Sequence, residues 1–173
     1  SKLRHMRFGI LGSGSWATAL AKVLTDNGHP LSWYVRSAAV QEYLLKRKHN
    51  PHYLPSVDFS TQSLSIHTTV KPVVEHAEVI VIAVPSAYLI ETLSVLTPEV
   101  LAGKKILSAV KGILPEKNLL LNEYLQQQFQ FPASDYFTLM GPCHAEEIAA
   151  QKLSYLTFSG LKADTTEQIA ACF

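Results

Sequence analysis

Cysteine is almost missing from this chain: Cys143 and Cys172 are the only two among 173 residues, so no disulfide framework organises the fold. So few thiols suit a reducing cytoplasm. A surplus of either charge is also missing. Fifteen Lys and Arg face 14 Asp and Glu, a formal charge of +1 at pH 7, where a nucleic-acid-binding domain needs a marked basic excess. Long apolar runs are absent too. The most hydrophobic stretch, Val79 to Val84, is six residues, against the roughly 20 needed to cross a bilayer as a helix. No stretch carries the pattern of a secretory signal, and there are no repeats or low-complexity tracts. What is present is ordinary globular material, 47% apolar with a mean hydropathy of +0.11, which excludes a disordered tail. Folded as one unit, such a chain buries roughly 70% of its extended surface. One domain is expected.

The two ends stand apart from the rest. Ser1 to His5 (SKLRH) is polar and basic, and Met6 is followed at once by a strand-like run. The first five residues read as a tag remnant before an initiator Met6, leaving residues 6–173 as the folded domain. Thr165 to Phe173 (TTEQIAACF) has helical apolar spacing and no Gly, Pro or basic last turn to stop it. The expectation is the front part of a longer protein.

Strand and helix patterns alternate. Strands are expected at Arg7–Leu11, Leu31–Val35, Leu64–Thr68, Glu78–Val84, Lys105–Val110, Tyr136–Met140 and Ser154–Phe158. Helices are expected at Ser15–Asn27, Ser37–Lys48, Ser86–Leu96, Leu119–Phe129 and Cys143–Ala150. The run EVIVIAV (Glu78 to Val84) is almost wholly apolar and β-branched, as a strand covered on both faces should be. This alternation predicts an α/β fold with a doubly wound, mostly parallel sheet of the Rossmann-like kind and helices on both faces.

The loop GSGSWA (Gly12 to Ala17) follows the first strand and opens the first helix, fitting G-x-G-x-x-G/A. Gly12 permits the tight turn, Gly14 lets backbone approach a pyrophosphate, and Ala17 lets the helix lie close to the sheet. The helix start offers unpaired N–H groups to phosphate. Trp16 either packs on the inner face of that helix or flanks the cofactor entrance; both readings fit. An NAD site places an acid about 20 residues after the loop to bind the ribose diol. Between Asp26 and Glu42 there is none; Arg36 and Ser37 stand there instead. A guanidinium and a hydroxyl suit a 2′-phosphate, so NADP is favoured over NAD. The plain alternative for Arg36 is a solvated surface side chain.

Gly12, Arg36, Pro85, Lys111 and Gly141 each follow the carboxyl end of an expected strand, and in an open parallel sheet those ends share the ligand-binding edge. Pro85 is counted with the cofactor contacts on that ground. Lys111 heads KGI directly after a strand. A lysine taken alone is most often an exposed loop residue, but beside Gly112 and facing a dinucleotide loop its ammonium is placed to orient an anionic or carbonyl-bearing substrate. A metal site is not expected: Pro51 breaks the helix that would align His49 with His52, and no Cys or carboxylate cluster joins them. Adjacent Cys143 and His144 diverge on a helix and do not read as a nucleophile–base pair.

The segments GSGSWATALA, NGH (Asn27 to His29), Arg36, NPHYLP (Asn50 to Pro55), VPS (Val84 to Ser86), KGI (Lys111 to Ile113) and GPCHAEEIA (Gly141 to Ala149) occur in this order. Together they resemble the N-terminal domain of NAD(P)-dependent glycerol-3-phosphate dehydrogenase, the bacterial type that feeds phospholipid synthesis, from about Met6 onward. The resemblance implies hydride transfer between the nicotinamide and C2 of the glycerol 3-phosphate/dihydroxyacetone phosphate pair. It implies cofactor contacts at Ser15, Trp16, Arg36, Tyr53, Lys111 and Ala145, and substrate contacts at Lys111, Gly141 and Cys143. The family has Ser or Thr where Cys143 stands, and a thiol is the poorer donor. In the family an all-helical second domain supplies the proton-transferring lysine and the phosphate-gripping Arg and Asn. The 173 residues contain no replacement, so cofactor binding with little turnover is expected. A non-catalytic dinucleotide sensor is the alternative, and Lys111 with the GPC element argues against it. A β-hydroxyacid or phosphogluconate-type dehydrogenase is disfavoured by NPHYLP and the KGI placement. A phosphorylated small substrate, no nucleic acid, no membrane insertion, a cytoplasmic location and a homodimer of the full-length protein complete the expectation.

Overall fold

Period-two alternation decides which layer each strand residue joins. A computed structural model describes residues 5–47, 64–110, 113–114, 117–141 and 156–173. In it, β1 (Phe8–Leu11), β2 (Leu31–Tyr34), β3 (Leu64–His67), β4 (Val79–Ile82), β5 (Lys105–Ser108), β8 (Tyr136–Met140) and β9 (Thr157–Gly160) form one sheet in the order β3-β2-β1-β4-β5-β8-β9. Every pairing is parallel except β8 with β9. On β4, Val79 and Val81 face one layer while Ile80 and Ile82 face the other, all four buried. Burying each such side chain contributes about 1.5–3 kcal/mol, so the strand is fixed in register from both sides.

The first layer holds α1 (Ser15–Asp26), the start of α2 (Ala38–Arg47) and α7 (Ala163–Ala170). The second holds α3 (Val70–His76), α4 (Ser86–Leu93), the single turn α5 (Pro98–Leu101) and α6 (Leu121–Phe129). Helix α6 buries Leu121, Tyr124, Leu125 and Phe129, the spacing of one helical face. A two-stranded hairpin, β6 (Ile113–Leu114) with β7 (Leu119–Leu120), stands outside the main sheet.

The doubly wound, mostly parallel sheet is as the alternation predicts. Several boundaries differ, and three of them have a physical reason in the packing. The last strand is Thr157–Gly160 rather than Ser154–Phe158, and it runs antiparallel, its register with β8 set by Phe137 opposite Gly160. Leu119 and Leu120 pair in the hairpin, so α6 starts at Leu121. The helix expected over Thr165–Phe173 occupies Ala163–Ala170 and yields to a turn. There the Phe173 ring meets Phe8 at 5.7 Å and Phe158 at 5.2 Å, and aromatic burial outweighs one more helical turn. The expected helix over Cys143–Ala150 lies outside the described residues.

His29 closes the bottom of the sheet. It is buried, its Nδ1 accepts the Met6 N–H at 3.2 Å, and its ring stands edge-on to those of His5 and Phe8. Burial, then the charge of His5, push its pKa below the ordinary imidazole value. The unfolded chain therefore binds the proton more tightly, and folding stability is complete above about pH 6.5 and is lost as pH falls from there through the lowered folded value. Urea unfolding at pH 7.5, 6.5 and 5.5 should show the midpoint falling over that range, with the fall much reduced in His29→Asn. An equal fall in both proteins would place the proton uptake elsewhere.

Candidate functional site

The chain leaves β1 toward β2 on one side, while β4 lies on its other side and leads on to β5. A crevice opens at the carboxyl ends where the winding reverses. The first turn there is set by Gly12. Its φ is +121°, and a Cβ at this position would lie 2.5 Å from the Ala83 carbonyl oxygen. That approach exists because the β1–β4 ladder continues past the strands, with Ala83 N–H donating to Leu11 O at 2.9 Å. The buried Trp33 indole donates to the Gly12 carbonyl at 2.6 Å and fixes its direction.

Two residues on, Gly14 precedes α1 as its N-cap. No side chain caps this helix and no acid lies in its first turn. Thr18 is turned to the Gly14 carbonyl through both its N–H (2.9 Å) and its hydroxyl (2.8 Å), which holds the entry to the helix without occupying its leading N–H groups. A Cβ at Gly14 would meet nothing within 4 Å. The vacant side belongs to the crevice. An open backbone face beside an uncapped helix start is the shape and polarity that a pyrophosphate needs, so the residues present fit a dinucleotide.

From this loop a cleft of about 680 Å³ runs across the sheet edge toward β3. Gly12, Ser13 and Gly14 form its head, Val84 and Pro85 one wall, and Tyr34 and Arg36 the floor at β2. Thr68, Thr69 and Lys71 close the far end, and Tyr88, Glu91 and Thr92 of α4 border it. Arg36 is exposed, and its guanidinium carbon lies 5.0 Å from the centre of the likewise exposed Tyr88 ring, a cation–π contact at the cleft.

The structure thus gathers Gly12, Gly14, Arg36 and Pro85 around one cleft. Ser15 opens α1 directly behind Gly14. Trp16, next in α1, is not among the residues that line this cleft. Half-buried, it packs on the first layer, and its six-membered ring covers Gly141 so closely that a Cβ there would collide with it at 2.4 Å. The inward packing read for Trp16 is present, with Gly141 after β8 meeting the indole. Tyr53, Lys111, Cys143 and Ala145 lie outside the described residues. Sequence reasoning missed Tyr88 and Lys71. Tyr88 follows VPS by two residues and Lys71 follows β3 by four, so counting forward from each strand end was the signal available. Among the described residues no group of three His, Cys, Asp or Glu is placed to hold a metal, and no helix is long and apolar enough to cross a membrane.

Known proteins give this geometry a setting. A Bacillus subtilis glycerol-3-phosphate dehydrogenase named for NAD(P)+ is 33% identical over 167 residues, covering 95% of this chain and 48% of that protein. The crystal structure of glycerol-3-phosphate dehydrogenase from Coxiella burnetii superposes with a TM-score of 0.86 at 24% identity, over 97% of this chain and 50% of that one, and so shows the shared fold. The enzyme of the same name from Plasmodium falciparum gives 0.79 at 25% identity, over 93% and 47%. The chain spans about half the length of the curated relatives it matches. The sequence profile of the NAD-dependent glycerol-3-phosphate dehydrogenase N-terminus matches residues 7–166. With nearly its whole length inside that match, the chain belongs to the family of NAD-dependent glycerol-3-phosphate dehydrogenase N-terminal domains.

Proposed function

We propose that this chain is the dinucleotide-binding part of an oxidoreductase that moves a hydride between NAD(P)H and the dihydroxyacetone phosphate/sn-glycerol 3-phosphate pair, a step toward glycerophospholipids. The observation that carries the reading is the open face of Gly14 beside the uncapped start of α1, at the head of a cleft that Arg36 also lines. When bound, the nicotinamide supplies or accepts the hydride. The chain's own residues bind and orient. The leading N–H groups of α1 and the Gly14 backbone receive the pyrophosphate. Arg36 answers the 2′-phosphate, which favours NADP, and its contact with the Tyr88 ring holds the guanidinium beside the cleft. Gly12 and Pro85 shape the wall, with Ser15 and Trp16 behind them. Tyr53 and Ala145 complete the cofactor contacts. Lys111 holds the phosphorylated substrate toward the nicotinamide end, helped by Gly141 and Cys143.

In this reading residues 6–173 are the cofactor domain, and an all-helical domain supplies the proton-transferring lysine and the grip on the substrate phosphate. The working protein is a cytoplasmic homodimer with no role for nucleic acid or membrane insertion. Calorimetric titration with NADPH and NADH tests the core of it. Arg36→Ala should weaken NADPH by about 10–100-fold, the value of a charge-assisted phosphate contact, and leave NADH nearly unchanged. Equal losses for both nucleotides, or none, would refute the 2′-phosphate role; no binding of either by the wild type would refute the reading as a whole.

A further inference from the structure

Arg36 is not the only cation at its end of the cleft. Strands β2 and β3 pair in parallel with Tyr34 opposite His67, and Val35 N–H extends the ladder to His67 O at 2.9 Å. The residues that follow each strand therefore emerge side by side at one edge: Arg36 from β2, and Thr68, Thr69 and Lys71 from β3. All four line the same cleft. The carboxylate on the cleft lining, Glu91, comes from α4, one turn after Tyr88.

Two details single out the β3 side. Thr69 is the N-cap of α3, a place where a threonine hydroxyl ordinarily bonds back to the helix, yet its side chain makes no capping bond. Its hydroxyl is left to the cleft that it lines. Lys71 pairs with Glu75 at 3.7 Å, with both side chains mostly exposed (68% and 53%). An ion pair that long and that exposed contributes little and yields readily to a stronger anion. Arg36, by contrast, is engaged by its ring contact with Tyr88 and approaches from β2. The corner thus offers one stacked cation, one loosely tied cation and a hydroxyl without a partner in its own helix. A dianionic phosphomonoester takes all three, since it presents three acceptor oxygens and about two charges.

We propose that Lys71, with the Thr69 hydroxyl, is a second determinant of cofactor selectivity, and that it shares the 2′-phosphate of NADP with Arg36. The inference rests on the reading that this cleft receives the adenosine end of a dinucleotide. It makes selectivity a property of two strands, β2 and β3, and not of the single position after β2. Lys71 gives up Glu75 when the phosphate arrives, so its contribution appears only with a phosphorylated ribose.

Isothermal titration of the 173-residue chain with NADPH, NADH, 2′,5′-ADP and 5′-AMP tests this. Lys71→Ala should weaken NADPH and 2′,5′-ADP by about 3–10-fold and leave NADH and 5′-AMP within about twofold. Lys71→Glu should weaken the phosphorylated pair by more than about tenfold through like-charge repulsion, and Lys71→Arg should retain wild-type binding. All three changes fall on an exposed side chain, so folding is preserved, and a circular dichroism melt checks it. Unchanged NADPH affinity in Lys71→Ala and Lys71→Glu overturns the inference. So does an equal loss for NADH, which would make Lys71 a general ribose or adenine contact. Arg36→Ala separates the two levels: a selective loss of NADPH there with silent Lys71 variants sinks this inference alone. Failure of the wild type to prefer 2′,5′-ADP over 5′-AMP sinks it together with the NADP preference.

Discussion

Replacing Gly12 by alanine should lower the melting temperature by about 6–12 °C and remove measurable dinucleotide binding. The new Cβ would lie 2.5 Å from the Ala83 carbonyl oxygen, 2.8 Å from its carbon and 3.2 Å from Val84 N, all backbone atoms of the segment that directly follows β4. No flexible side chain can move aside. A φ of +121° adds strain that L-residues rarely bear, of order 1–3 kcal/mol. Together with displacement of a paired backbone the cost reaches about 3 kcal/mol or more. The displaced segment runs into Val84 and Pro85, which form a cleft wall, so binding fails with stability. Gly14→Ala should give the opposite signature. Its φ of −72° suits any residue and its Cβ meets nothing within 4 Å, so the melting temperature should hold within a degree or two. Affinity should still drop by about tenfold or more, because the methyl group occupies the face left open to the pyrophosphate. Differential scanning fluorimetry and titration on the two variants read both effects. A stable, fully binding Gly12→Ala, or a Gly14→Ala that binds as wild type, would overturn this account of the loop.

The contrast between these glycines also marks how far the sequence could be read. Apolar β-branched runs such as VIVI in β4 announce a strand covered on both sides, because their short length and β-branching favour a strand over a buried helix. Gly12 and Gly14 were legible through their spacing, and Arg36 through the missing acid after β2. What hid was context-dependent. Helix α3 carries Pro72 in its first turn, where the lost N–H had no helical partner anyway, so a residue that breaks most helices conceals this one. Thr157–Gly160 ends in a glycine against the Phe137 ring, and its antiparallel direction depends on a distant partner that local pattern does not encode. The cleft's far end was hidden for a similar reason. Arg36 and Lys71 are 35 positions apart, and only the in-register pairing of β2 with β3 brings them to one corner. Trp16 shows the limit from the other direction. It sits inside the phosphate-loop motif, yet its ring is taken by Gly141 and the first layer.

Trp33→Phe should destabilise the protein by about 3 kcal/mol and weaken dinucleotide binding, although Trp33 is not among the residues that line the cleft. The side chain is fully buried on β2 among Ile10, Ile66 and their neighbours. Phenylalanine removes part of the ring volume and leaves a void. It also removes the N–H that donates to Gly12 O at 2.6 Å. Gly12 is buried, so its carbonyl then lacks this donor where water does not easily reach it, a loss of about 1–3 kcal/mol. The two terms add because they arise from different atoms of the same indole. Binding follows by geometry. The Gly12 carbonyl direction sets the turn that presents Ser13 and Gly14, and a loosened turn spends part of the binding energy on reordering, worth about 3–10-fold in affinity. The chain has only two tryptophans, so a Trp16→Phe background isolates the emission of Trp33. In that background the buried, hydrogen-bonded indole reports urea unfolding directly, and a Trp16→Phe/Trp33→Phe double variant followed by circular dichroism gives the stability difference. Equal urea midpoints with and without Trp33 would mean that its bond to the loop contributes nothing. A lower midpoint with unchanged NADPH affinity would confine Trp33 to the core and leave Gly12 held by its contact with β4 alone.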